Sequence, residues 1–175
     1  MPATRTLTAL AIGTTLTGVA PLAPGATVVA QLKVVTSTTD LYDIAKQVGG
    51  NHITATHIGE GYQDPHFIEA KPSYVLQLRK ADVWAFVGLS LEAGWMPLLL
   101  QGARNPKLAP GQPGHVDVST VIPVLDVARG NVDRSQGDVH PLGNPHYWLD
   151  PANARRIAAL FRQTFSSLDP ENADA

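Results

Sequence analysis

The sequence predicts an α/β fold in which a parallel sheet is flanked by helices in βαβ units. Short β-rich runs alternate with amphipathic helical segments at the spacing of right-handed βαβ units. The run at residues 83–87 is continuously apolar, as is typical of a parallel strand covered on both faces. The chain has 175 residues, of which 44% are hydrophobic and 16% charged. This length and composition predict one domain with a sizeable core.

Local signals justify each element in turn. A capping signal at 38–40, apolar side chains recurring at three, four and seven positions, and two terminal glycines predict the first helix. Pro72, Pro97 and Pro151 suit the first turns of later helices, and Asp150 suits an N-cap. The predicted elements are strands at 32–36, 53–58, 83–87 and 115–119, a near-strand at 121–127, helices from 38–40 to 48 and at 72–80, 95–101 and 151–168, and a fresh helix start at 168–171.

Three loops stand out as candidate functional segments. In parallel α/β sheets, ligands bind in the crevice beyond the carboxyl ends of the strands. The loop at 59–69 leaves the second predicted strand on that side. The loops at 102–114 and 129–148 are rich in Gly and Pro, and loops of this length in a compact domain are usually functional or mobile.

Residues 1–30 have the pattern of an export signal. A single charge, Arg5, precedes an apolar stretch that gives way to prolines and small residues. The alternative is a membrane anchor, but the run is short, rich in Thr and interrupted by two prolines. We expect a signal peptide at 1–30 and a mature periplasmic chain at 31–175. Because the chain has no Cys, we expect no lipid anchor.

Composition and motif content narrow the function classes. A formal net charge of −2 argues against a nucleic-acid-binding protein. The lack of Cys excludes disulfides, thiolate metal sites, iron–sulfur clusters and cysteine catalysis. The sequence has no His-Glu-x-x-His, nucleophile-elbow or phosphate-loop motif.

Two turns carry the same candidate chemistry. Residues 63–69 and 143–151 each place a histidine, His66 or His146, directly after a proline, with an aromatic and then an acidic residue beyond it. Proline partly orders the backbone before each histidine, which suits a site that holds a ligand in a fixed direction. His140 is a third candidate ligand. The remaining three histidines are weaker candidates: His52, His57 and His115.

Histidine nitrogens suit Zn²⁺ best among the common metals, whereas Mn²⁺ prefers more carboxylate. A ligating histidine usually passes its other N–H to a carboxylate, and Asp64 or Asp138 is near enough in sequence to accept it. Because an imidazole must be neutral to bind a metal, we expect metal affinity to decrease as the pH is lowered below about 6.5.

Together these segments resemble the solute-binding proteins of zinc and manganese ABC importers, which include adhesin-like lipoproteins. The resemblance spans nearly all of the predicted mature chain. It rests on motifs that occur in the family's order: 64–66 with 69–73, 81–83 with 88–95, 137–140 with 143–146, 149–154, and 168–173.

The resemblance implies one lobe of a two-lobed periplasmic-binding-protein-like fold with a metal buried between the lobes. It assigns His66 and His146 as ligands of this N-terminal lobe, and His140 matches an extra histidine of a subgroup. It implies capture of a divalent metal, zinc first and manganese as an alternative, and delivery to an ABC permease without catalysis. The chain ends where the family's connecting helix begins, so we expect residues 31–175 to form the N-terminal lobe of an apparently truncated chain.

Two rival functions remain open at this stage. A small zinc hydrolase would need an open coordination position and a general base such as Glu60 or Glu69. A surface adhesion or interaction domain would make the histidines incidental.

Overall fold

The computed structural model describes residues 31–128, 130 and 139–174. The expected signal peptide at 1–30 and the candidate Asp138 lie outside the described residues. Within the described part of the chain, no helix has both the length and the apolar character needed to cross a membrane.

The observed elements follow the predicted order closely. The four strands are β1 (Leu32–Thr36), β2 (Ile53–His57), β3 (Val83–Phe86) and β4 (His115–Asp117). The four α-helices are α1 (Thr39–Gly49), α2 (Pro72–Lys80), α3 (Met96–Ala103) and α4 (Pro151–Leu168). Short 3₁₀ turns occupy Gly50–His52, Pro106–Leu108, Val118–Val121, Tyr147–Leu149 and Pro170–Asn172.

The caps expected from the sequence are present. Thr38 accepts a hydrogen bond from the backbone N–H of Leu41 at the start of α1. Asp150 accepts from the N–H of Ala152 at the start of α4. Such side-chain caps satisfy N–H groups that have no partner within the helix. They fix where each helix begins, and so where the preceding loop must end.

The sheet is parallel throughout and has the strand order β2-β1-β3-β4. Val34 of β1 pairs with Ala55 of β2 on one side and with Val83 of β3 on the other. The chain therefore moves outward from β1 to β2 and then crosses to the other side for β3 and β4. Loops that leave neighbouring strands in opposite directions open a crevice at the carboxyl edge of such a sheet.

Both faces of the sheet are covered, as the apolar β3 run predicts. Successive β3 side chains point to opposite faces. Val83 and Ala85 pack in the core beneath α1 and α4, whereas Trp84 and Phe86 pack in the core beneath α2 and α3. The first core includes Leu41, Ala45, Ile157, Phe161 and Phe165, and the second includes Val35, Leu78, Trp95 and Leu99.

Three sequence predictions about the later segments differ from the structure. The near-strand predicted at 121–127 is not a strand, and β4 ends at Asp117, earlier than predicted. The Asp117 carboxylate accepts hydrogen bonds from the backbone N–H and the hydroxyl of Ser119, at 3.0 and 2.7 Å. This local turn starts the 3₁₀ segment Val118–Val121 and ends the strand, since an Asp side chain competes with the sheet for backbone donors. The helix start predicted at 168–171 forms only the 3₁₀ turn Pro170–Asn172 within the described residues.

Candidate metal centre

Three histidine side chains converge on one point. His66 lies on the loop after β2, and His140 and His146 lie on the segment before α4. One ligand atom from each lies within 4.8 Å of the other two, and each side chain is partly buried. The ring centroids are 5.0 Å apart for His66 and His140, 5.4 Å for His66 and His146, and 6.0 Å for His140 and His146. The fold thus brings together the three histidines that the sequence singled out from six.

The nitrogen spacing suits a common metal ion. His66 Nε2 and His140 Nε2 are 3.0 Å apart. Two imidazole nitrogens bound to a tetrahedral Zn²⁺ at 2.0–2.1 Å are separated by about 3.3 Å. A small rotation of either ring therefore reaches the spacing of two ligands on one ion.

The two proline-histidine turns are held by the same hydrogen bond. Asp64 Oδ1 accepts from the backbone N–H of His66 at 2.9 Å, and Asn144 Oδ1 accepts from the N–H of His146 at 2.9 Å. In each turn a proline separates donor and acceptor, so its fixed φ and the side-chain bond act on the same short segment. Each histidine backbone is therefore fixed by its own neighbours.

Asp64 also sets the direction of the His66 ring. The same carboxylate oxygen lies 2.6 Å from His66 Nδ1. A carboxylate oxygen at this distance favours a proton on Nδ1, which leaves the lone pair on Nε2, the nitrogen that faces His140. Hydrogen bonds from the His66 backbone, and then from its ring, lower the pKa of the Asp64 carboxyl. Of the two acids predicted to accept from a ligating histidine, Asp64 contacts the His66 ring, whereas Asp138 lies outside the described residues.

The His146 turn is tied to the protein on two sides. Asn144 donates its backbone N–H to the carbonyl oxygen of Leu125 at 2.8 Å. Gly143, at φ +113°, makes this approach possible, because a Cβ there would lie 2.2 Å from Val124 Cγ1. On the other side, Asn153 of α4 donates to the carbonyl oxygen of Tyr147 at 3.0 Å.

Two titratable side chains near the histidine turns are buried, the carboxyl of Glu92 and the phenol of Tyr147. The Glu92 side chain is 1% exposed, and this burial raises the pKa of its carboxyl. Tyr147 is also buried, and burial together with the charges of Glu92 and Asp117 raises the pKa of its phenol. Tyr147 therefore remains a hydrogen-bond donor at neutral pH.

The sequence analysis missed the roles of Asn144, Tyr147 and Glu92. A signal was available for Asn144, since Asx-Pro-His recurs at 64–66 and 144–146 and an Asx side chain commonly accepts from the N–H two residues later. No local pattern reveals Tyr147, because its partner Val87 is distant in sequence. Glu92 bonds to nearby residues of its own loop, but nothing in the sequence shows that its side chain is buried. Trp95, predicted to be a packing residue, is buried as expected but also donates its indole N–H to Pro65.

The remaining candidates lie apart from the cluster. His52 occupies the 3₁₀ turn before β2, at the opposite edge of the sheet. His57 contacts the carbonyl oxygen of Gly59 through Nδ1, and His115 contacts that of Leu108. Among the residues that the structure describes, the cluster contains three imidazoles and no carboxylate. The acids considered as general bases, Glu60 and Glu69, are exposed.

Comparison with known families gives a match over most of the chain. The family model described as "Zinc-uptake complex component A periplasmic" matches residues 34–175. The manganese-binding lipoprotein MntA of Halalkalibacterium halodurans is 29% identical over 143 residues, which are 82% of this chain and 42% of that protein. The manganese ABC transporter substrate-binding lipoprotein PsaA of Streptococcus pneumoniae is 28% identical over 147 residues, which are 82% of this chain and 44% of that protein. The chain thus spans less than half the length of these relatives.

Solved structures share the fold. The Mn-bound periplasmic metal binding protein from Candidatus Liberibacter asiaticus superposes with a TM-score of 0.63 at 24% identity, covering 82% of this chain and 48% of that one. Zn(II)-bound AdcA from Streptococcus pneumoniae gives a TM-score of 0.60 at 22% identity, covering 83% of this chain and 28% of that one. These neighbours have two-lobed folds, and this chain matches about half of the first and a smaller part of the second.

Proposed function

The chain belongs to the family of periplasmic zinc-uptake component A proteins, and from this premise we propose that it captures a divalent transition metal outside the cytoplasm. The metal is cargo, and His66, His140 and His146 are its ligands. The observation that carries the proposal is the convergence of three imidazole nitrogens within 4.8 Å at the carboxyl edge of the sheet.

We propose zinc as the preferred cargo. In the described part of the chain the cluster offers imidazole nitrogens and no carboxylate, a ligand set that suits Zn²⁺, whereas Mn²⁺ favours oxygen ligands. The relatives point both ways, since the family is described by zinc uptake and two relatives are named for manganese. The donor chemistry of this chain is the reason to choose zinc.

Residues 31–175 correspond, in this proposal, to the N-terminal lobe of a two-lobed binding protein. Residues 1–30 direct export to the periplasm, and an ABC permease receives the metal. Support comes from the likeness to transporter substrate-binding proteins and from a match to about half of their length.

A metal titration tests the proposal. Zn²⁺ and Mn²⁺ are titrated separately into the full chain by calorimetry, and then in competition with a chromogenic chelator. We expect saturable Zn²⁺ binding, weaker Mn²⁺ binding, and loss of Zn²⁺ binding in His66→Ala and His146→Ala. His52→Ala is the matched control, because this histidine lies at the opposite edge of the sheet. Binding that persists in both cluster variants would refute the assignment of ligands.

The hydrolase alternative has less support. A metal hydrolase needs a general base beside the metal-bound water. Glu60 and Glu69 are exposed, and neither joins the histidine cluster. The relatives are transporter binding proteins rather than enzymes. Chelator-sensitive ester hydrolysis by the full chain would reverse this preference.

A further inference from the structure

A buried loop between β3 and α3 contacts both proline-histidine turns. This segment, residues 87–95, is called the bridging loop below. Gly88, Leu89 and Ser90 follow one another at φ of +82°, +50° and +71°. The left-handed region is unfavourable for side chains other than glycine, so surrounding contacts must hold Leu89 and Ser90 there.

Glu92 fixes the start of this left-handed run from within the loop. Its carboxylate accepts the backbone N–H of Val87 at 2.7 Å and that of Gly88 at 3.1 Å. Ser37, at the end of β1, also hydrogen-bonds to Glu92 and accepts from the Val87 N–H at 3.3 Å. A buried carboxylate with this many donors ties the start of the loop to β1 and to its own first turn.

The bridging loop reaches the His66 turn through Trp95. The indole N–H of Trp95 donates to the carbonyl oxygen of Pro65 at 2.9 Å, directly before His66. Trp95 is 3% exposed and packs edge-on against Trp84 at a centroid distance of 6.2 Å. The indole is therefore fixed by the core, and its hydrogen bond fixes the backbone that carries the His66 ring.

The same loop reaches the His146 turn through Val87. The hydroxyl of Tyr147 donates to the carbonyl oxygen of Val87 at 2.5 Å. Tyr147 follows His146 directly, so this bond anchors the second turn to the residue whose N–H Glu92 accepts. Val87 therefore links the two groups: its N–H donates to Glu92, and its carbonyl oxygen accepts from Tyr147.

We propose that the bridging loop positions the metal ligands: Glu92 fixes the loop, Trp95 fixes the His66 turn and Tyr147 fixes the His146 turn. Since the two histidines lie 80 positions apart in the sequence, their separation depends on a common support. The inference rests on the proposed function. It adds three positioning residues that contact no metal and act through the backbone of the ligands.

The test removes single hydrogen bonds from the full chain. Trp95→Phe and Tyr147→Phe each delete one donor while keeping an aromatic ring in the core. Glu92→Gln replaces one acceptor oxygen with a donor and leaves one loop N–H without its partner. Leu108→Ala is the core control, because Leu108 is buried in the same core as Trp95 but lies on the 3₁₀ turn Pro106–Leu108, outside the bridging loop and both histidine turns. Tyr74→Phe is the corresponding tyrosine control.

Three quantities are measured: Zn²⁺ affinity, the visible spectrum of bound Co²⁺ and the thermal midpoint of the metal-free protein. We expect each of the three variants to weaken Zn²⁺ binding about tenfold and to change the Co²⁺ spectrum. Tenfold is the smaller of the losses in metal affinity that are typical when a group that orients a ligand is removed. The controls should retain both properties even where their thermal midpoints fall. A merely structural role would move the midpoint alone.

The outcomes separate the two proposals. The positioning role alone would be overturned if the wild type binds Zn²⁺ and both Trp95→Phe and Tyr147→Phe keep the wild-type Zn²⁺ affinity and Co²⁺ spectrum. Wild-type protein that does not bind Zn²⁺ would overturn the proposed function and this inference with it. The two aromatic variants act at separate turns, so a folding failure in one leaves the other as the test.

Discussion

Replacement of Asp64 gives a graded prediction, because one oxygen makes both of its contacts with His66. Asp64 Oδ1 accepts from the backbone N–H at 2.9 Å and lies 2.6 Å from Nδ1. In Asp64→Asn the amide oxygen can keep both contacts, as Asn144 keeps the equivalent backbone contact in the second turn. Only the charge is lost. A charge-assisted hydrogen bond is worth about 1 kcal/mol more than a neutral one, so Zn²⁺ affinity should fall about fivefold.

Asp64→Ala removes the acceptor as well as the charge. The ring then loses its orienting partner and the turn loses its side-chain bond, and we expect Zn²⁺ affinity to fall about 10- to 100-fold. Because the Asp64 side chain is 54% exposed, the stability of the metal-free protein should change little. Chelator competition at pH 7.5 measures the affinities.

The order of the variants tests the reasoning. We expect wild type to bind most tightly, then Asp64→Asn, then Asp64→Ala. Asp43→Ala is the control, since Asp43 makes a comparable surface contact with Gln47 on α1. An Asn variant as weak as the Ala variant would show that the charge, and not the turn, carries the effect. An Ala variant equal to wild type would refute the orienting role.

Three further predictions concern the scaffold. Gly143→Ala should destabilise the protein by more than about 1 kcal/mol in urea unfolding and weaken Zn²⁺ binding, because the new Cβ would collide with Val124 and φ is +113°. Phe161→Ala should cost about 3–5 kcal/mol of unfolding free energy, since Phe161 is 0% exposed in the core beneath α4. Burial raises the pKa of Glu92, so its stabilising contribution is present at low pH and declines as the pH rises above about 4.5. Urea unfolding of wild type and Glu92→Gln at pH 4.5 and 7.5 should therefore show the wild type losing stability relative to the variant at the higher pH.

The sequence predicted those elements whose signals are local. The α1 cap at Thr38 and the continuous apolar run of β3 depend on neighbours within a few residues, and both were placed correctly. The segment at 121–127 was mispredicted because its β-branched residues favour a strand, whereas the Asp117–Ser119 turn has already diverted the chain. Here a side chain outside the segment decided its structure.

The residues of the candidate site also fall into those that local pattern predicts and those that depend on the fold. The repeated proline-histidine pattern pointed to His66 and His146. His140 ranked above the other three histidines because it lies in the same loop as His146. That these rings share one centre depends on the parallel strand order, which brings together loops that are distant in the chain. The role of Tyr147 depends on its bond to Val87 across the fold and could not be read from local pattern. The bonds of Glu92 are local, but the burial of its carboxyl group depends on the tertiary structure.

The paired Asx-Pro-His turns have a consequence for protein engineering. Each turn sets its histidine backbone with one proline and one side-chain hydrogen bond, and the acceptor can be an aspartate or an asparagine. A motif whose geometry is self-contained can be transplanted. Inserted after strands of a designed parallel sheet, each such turn would supply a pre-oriented histidine, whereas the spacing between the histidines would still have to come from a support equivalent to the bridging loop.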